Sequence, residues 1–135
     1  LKYTVTIPGE PTGKGRPRVT KWGTHTPEKT VLYENLIKLM AEPEITNGML
    51  EGPLVMTIEA FYSIPKSASK KLREQMIRRE VRPTKKPDTD NIAKTCGDAL
   101  NGIWYKDDSH IVDEHVSKWY GEPACVVIEV EEWKL

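Results

Sequence analysis

The chain has 135 residues with 20 basic and 20 acidic side chains, so its formal charge is zero; 38% of it is hydrophobic and 30% charged. That length and balance suit one folded domain covering residues 1–135. The longest apolar run, Ala124–Ile128, falls far short of the roughly 20 residues a membrane-spanning helix needs, so membrane insertion is excluded. The N-terminus lacks the long apolar segment of a secretory signal, which makes the cytoplasm the expected location. Cys96 and Cys125 stand far apart without zinc or redox spacing and read as buried thiols.

Residues 2 to 7 alternate, with Tyr3, Val5 and Ile7 against Lys2, Thr4 and Thr6, and stop at Pro8 and Gly9. This predicts a strand. Pro8 to Trp22 reads as a basic loop. Its GKG is one residue short of a phosphate-binding P-loop and has Gly15 where Ser or Thr should follow Lys14. Two readings stay open for this loop: a surface turn, or an arm meeting a polyanion's backbone through Lys14, Arg16 and Arg18. Thr26 as cap and Pro27 in the first helical position predict a helix, with Leu32, Leu36, Leu39 and Met40 recurring at three- and four-residue steps as its core face.

Pro53 opens a strand over 54–62 that is apolar on both faces, which predicts a central position. Ser67 or Ser69 can cap a short basic helix running through Arg79, and the prolines of VRPTKKP then break the chain. From Asp90 to Ile103 the stripe Ile92, Cys96, Ala99, Leu100 and Ile103 predicts a third helix, with Asp90, Lys94, Asp98 and Asn101 on another face. Two final strands, about 110–120 and 124–133, flank a turn at Gly121–Pro123 and read as an antiparallel hairpin. The order βαβααββ implies an α/β fold with a mixed sheet.

Zero net charge conceals segregation. Residues 1–61 hold seven basic and seven acidic residues, 62–87 nine and two, and 88–135 four and eleven. A basic stretch such as Lys70, Lys71, Arg73, Arg78 and Arg79 is either a solvated helix face or a phosphate-binding one, since each cation that neutralises a phosphate releases counterions. A carboxylate cluster directly after it favours the second reading. Asp88 and Asp90 form a D-x-D at a helix start, Lys94 follows one turn later, and Asp107 and Asp108 form a second pair. Capping accounts for one such aspartate, not four. Oxygen ligands of this kind suit Mg²⁺ or Mn²⁺ rather than zinc. The cation would polarise a phosphodiester and activate water, and Lys94 would add fixed positive charge or pair with Asp90.

A helix over 90–103 is about 20 Å long, whereas residues 104–108 reach back at most about 17 Å. Either the helix is shorter, or it bends, or the second aspartate pair comes from another subunit. The reading favours a site at or beside a dimer interface.

At these residues the sequence resembles the RusA family of Holliday junction resolvases. The match lies in KPDTDNIAKTCGDALNGIWYKDDSHIVDEHVSKWY, residues 86–120, with a GKGRPRV-like arm near the N-terminus. The resemblance implies a RusA-like homodimer, Mg²⁺ dependence with Mn²⁺ able to substitute, and paired nicks in four-way DNA during recombination and repair, in a host or prophage setting. It implies that Asp88, Asp90 and Asp108 are metal carboxylates and catalytic, that Asp107 assists at the metal, and that Lys94 is the catalytic lysine. Asn91 belongs to the motif, and His110 stands where glutamine is common. DNA contacts are expected from Lys14, Arg16, Arg18, Lys70, Lys71, Arg73, Lys85, Lys86 and Lys118, since phosphate contacts position a protein without reading bases. Trp104 and Trp119 read as core or interface residues, with base stacking as the alternative for an aromatic face. His110 and His115 can be read as ligands beside the acidic pair, but the preferred reading has one hydrogen-bonded within the sheet and the other meeting solvent, while His25 lies in a loop and carries no distinctive signal. Two rival functions remain at this stage: a metal-dependent phosphohydrolase acting on linear DNA or nucleotides, and a junction-binding protein without catalysis.

Overall fold

The computed structural model describes residues 1–13, 18–25 and 27–135. Four strands form the main sheet: β1 (Lys2–Pro8), β4 (Leu54–Tyr62), β5 (Ile111–Tyr120) and β6 (Cys125–Glu132), in the order β1-β6-β4-β5. β6 runs antiparallel to β1 and β4, and β5 runs parallel to β4. The mixed sheet and the central place of β4 agree with the sequence. The expected β5–β6 hairpin does not form, because β4 lies between its two arms. Residues 121–124 instead cross the end of β4, where the Gly121 amide donates to the Tyr62 carbonyl at 2.9 Å. A strand apolar on both faces offers hydrogen-bonding edges to both neighbours, and the parallel partner arrives through a helical crossover.

Alternation along the strands places Tyr3, Val130 and Met56 in one row, Val5, Ile128 and Ile58 in the next, and Ile7, Val126 and Ala60 in a third, all buried on one face. That face is covered by α1 (Glu28–Ala41) beside β1 and α3 (Thr89–Leu100) beside β5. The register extends the rows into β5, where Glu114 lies next to Met56, Val116 next to Ile58 and Lys118 next to Ala60. The sheet edge on the α3 side therefore carries a carboxylate and an ammonium in line with core residues.

The end of the segment read as a basic loop is a short strand, β2 (Arg18–Thr20), which pairs antiparallel with β3 (Gly23–His25) just beyond it. α1 begins at Glu28, with Pro27 as its N-cap rather than its first helical residue, and Thr26 lies outside the described residues. Its buried face is Thr30, Tyr33, Ile37 and Ala41, not the leucine stripe: Leu32 is 60% exposed and Leu39 70%. α1 carries two apolar stripes, and the one with fewer leucines packs because it meets Trp104, whose indole donates to the Ala41 carbonyl at 2.9 Å.

α2 (Lys70–Ile77) is capped by Ser69, whose hydroxyl accepts from the Leu72 amide at 3.1 Å, a cap worth about 1 kcal/mol. It ends before Arg79, which sits at φ +66, a left-handed geometry that costs an L-residue about 1–2 kcal/mol. Among the described residues no helix is long and apolar enough to cross a membrane.

Cys96 is buried in the core, whereas Cys125 is only half-buried. Burial, and then the Glu114 carboxylate, push the Cys96 thiol from 9.0 up to about 12. Unfolding releases this proton once the pH exceeds 9.0. Its contribution to stability is therefore complete below 9.0 and declines as pH rises towards about 12. Thermal melts between pH 8 and 11 should fall less steeply with pH for Cys96→Ala than for the parent; equal slopes would refute this assignment.

Candidate functional site

α3 is shorter than expected, and this decides how the acidic residues meet. It stops at Leu100, with Asn101 as C-cap and Gly102 following at φ +76, the position at which glycine ends helices most readily. Twelve helical residues span about 18 Å, and the seven-residue connector 101–107 can reach about 24 Å. The chain can close this site by itself. Of the three alternatives the shorter helix is the one realised, so the second aspartate pair needs no other subunit to approach α3.

Two buried aromatics shape the connector. Trp104 packs at a ring-centroid distance of 5.7 Å from Tyr3. The Tyr105 hydroxyl donates to the Gly97 carbonyl at 2.7 Å, which folds the chain back onto the helix. Burial and then the Asp108 carboxylate raise the Tyr105 phenol above its ordinary value, so it remains a neutral donor. Asp108 consequently lies against Gly97, where an added Cβ would stand 3.6 Å from its Oδ2.

Asp90, Lys94, Asp108 and Glu114 line one cleft of about 310 Å³ between α3 and the start of β5. Lys94 Nζ lies 3.5 Å from Asp98 Oδ1, so the helical ion pair is with Asp98 rather than Asp90. Asp88 lines a neighbouring cleft of about 830 Å³, together with Glu10, Tyr62, Lys85, Lys86 and Asn91. Its carboxylate caps α3 by accepting from the Asn91 amide at 3.3 Å. Asp107 is exposed and accepts from the Ser109 amide at 3.0 Å. The Ser109 hydroxyl and amide hold its carboxyl below the usual range.

Among the described residues, no three His, Cys, Asp or Glu side chains gather closely enough to hold a metal between them. The structure thus brings Asp90, Lys94 and Asp108 together and leaves Asp88 and Asp107 to either side. Mg²⁺ commonly uses only one or two protein carboxylates, completing its shell with water and substrate phosphate. The oxygen-only pair Asp90 and Asp108 fits that requirement. Glu114 escaped the sequence reading because its place opposite α3 follows from the parallel register with β4, which local sequence does not display.

The basic residues divide into groups. Lys14 and Arg16 lie outside the described residues, as does the side chain of Arg18. Gly13 lines the Asp88 cleft, and a Cβ there would stand 2.6 Å from Pro87 Cβ and 3.0 Å from Asn91 Cβ, so the close approach of residue 13 to the Pro87–Asn91 segment requires glycine. Lys70 and Lys71 are exposed on the first turn of α2. Arg73 pairs with Glu122 at 2.6 Å. Lys85 and Lys118 place their ammonium groups 5.8 and 5.3 Å from the Tyr62 ring centroid, and Arg79 and Arg82 lie over Trp119 at 4.7 and 3.7 Å. Trp104 is a core residue, and two guanidinium groups already lie over Trp119. His110 ends the 3₁₀ turn Asp108–His110, and His115 sits exposed on β5.

A family model described as Endodeoxyribonuclease RusA matches residues 8–131. A protein of Bacillus subtilis (strain 168), described as uncharacterized protein YqaN, is 38% identical over 138 residues, covering 98% of this chain and 96% of that relative.

Proposed function

The chain belongs to the RusA endodeoxyribonuclease family, whose resolvases depend on divalent metal ions, and we propose that it is a homodimeric, Mg²⁺-dependent cytoplasmic nuclease that resolves Holliday junctions by paired nicks in recombination and repair. The observation that carries this reading is the shared cleft of Asp90, Lys94 and Asp108. Asp90 and Asp108 would hold the cation, with Asp88 and Asp107 beside them. When bound, Mg²⁺ supplies Lewis-acid activation of the phosphodiester and of water.

Lys94, on the cleft wall, offers positive charge where the phosphate gains negative charge. Water adds to phosphorus and one ester oxygen leaves, giving a nick with one phosphate end and one hydroxyl end. Lys70, Lys71, Lys85 and Lys86, with the arm residues Lys14, Arg16 and Arg18, would supply phosphate contacts that read shape rather than sequence. The exposed stripe Leu32, Leu39 and Met40 on α1 supports a homodimer, because contiguous exposed apolar faces mark association surfaces.

The test compares a four-way junction, a linear duplex of the same sequence and nucleoside triphosphates, each with and without Mg²⁺. The expected result is paired, symmetric nicks in the junction alone and only with the metal. Faster cleavage of duplex or triphosphate would replace the substrate. Metal-indifferent junction binding without nicks would make the aspartates mere caps, the role in which Asp88 is seen.

A further inference from the structure

Residues 78–88 connect α2 to α3 without helix or strand, yet they carry Lys85, Lys86 and Asp88, on which the proposed site depends. Two side chains from neighbouring strand ends bind the backbone of this connector. Lys118 Nζ donates to the Lys85 carbonyl at 2.6 Å, and the Tyr62 hydroxyl donates to the Pro87 carbonyl at 2.7 Å. The two bonds fall two residues apart, immediately before Asp88. Upstream, Arg82 Nε donates to the Lys118 carbonyl at 3.0 Å, and the Arg79 and Arg82 guanidiniums rest over the Trp119 ring. The connector is thus fastened along the free edge of β5. The Lys118 ammonium points at a backbone carbonyl and over the Tyr62 ring, two partners that hold a cation in place.

We propose that Lys118 and Tyr62 are positioning residues that clamp the Lys85–Asp88 segment, setting the Asp88 carboxylate for nicking, and that the first duty of Lys118 is this clamp rather than contact with phosphate. The inference rests on the reading of Asp88 as a working carboxylate of the nuclease.

Rate and binding separate the two duties. A clamp acts on geometry: Lys118→Met should lower the nicking rate at saturating junction about 10- to 100-fold, the scale on which small misplacements act. Junction affinity in EDTA should stay within about twofold and its salt slope should be unchanged, whereas loss of a phosphate contact lowers the slope by about one. Tyr62→Phe, which removes one hydroxyl, should also lower the saturated rate, and it carries the test alone if Lys118→Met fails to fold. The double variant should lose less than the product of the two losses, because both bonds hold one segment.

A salt slope reduced by one with an unchanged saturated rate would make Lys118 a phosphate contact and overturn the clamp, as would two single variants with parental rates. Asp88→Asn separates the levels of the argument. If it keeps the parental nicking rate, the reading beneath the clamp fails; if it abolishes nicking while Lys118→Met and Tyr62→Phe do not slow it, only the clamp fails.

Discussion

Asp90→Asn and Asp108→Asn are each expected to lower junction nicking by about 10³-fold or more, equivalent to about 4 kcal/mol of lost transition-state stabilisation. Both carboxylates line the same cleft beside Lys94, and asparagine keeps the shape while removing the charge that would hold a cation. Junction binding in EDTA should be retained, since neither residue supplies positive charge to the DNA. Because one chain contributes both groups, mixing the two variants should restore nothing: every cleft in a mixed dimer still contains one asparagine. Recovery on mixing would show that the carboxylates are shared between subunits and would reverse the single-chain geometry drawn from the connector. Retained nicking in either variant would remove that residue from the site.

This expectation depends on three residues at the end of one helix. Periodicity carries the α3 stripe as far as Ile103, and on that count the connector is too short to return. The helix stops at Leu100, since Gly102 takes the left-handed backbone that favours glycine. That stop lengthens the return path enough for one chain to bring its second aspartate pair to α3, the shorter-helix alternative. Strand periodicity was more dependable: β1 and β4 alternate as read, and β4 is interior because its outer face is apolar enough to sit between neighbours. The α1 face differs from the expectation because two apolar stripes compete, and Thr30, Tyr33 and Ala41, buried in the structure, look less hydrophobic than leucine in the sequence. Parallel pairing of β5 with β4 is a long-range choice with no local signature. The false hairpin and the missed Glu114 share that cause. The acidic motif itself was plain in the sequence; its division between two clefts was not, because caps and site ligands draw on the same residue type.

Lys94→Met is the second large loss, expected at about 10²- to 10³-fold in nicking, the range seen when one preorganised charge-stabilising donor is removed. The competing account is structural. Lys94 lies 3.5 Å from Asp98 one helical turn away, and its side chain is 60% exposed, so that pair contributes at most about 0.5 kcal/mol. Methionine keeps the helix propensity and the aliphatic stem. A purely structural lysine would therefore shift the melting temperature by no more than about 2 °C and leave nicking intact. A charge that works in the cleft gives the opposite pattern, with little change in melting and a large fall in the saturated rate. Affinity adds a third axis: if Lys94 instead held a phosphate in the ground state, junction binding would weaken and its salt slope would drop by about one while the saturated rate stayed near parental. The position of Lys94 beside Asp90 and Asp108, one turn from the helix start that Asp88 caps, predicts the fall in rate.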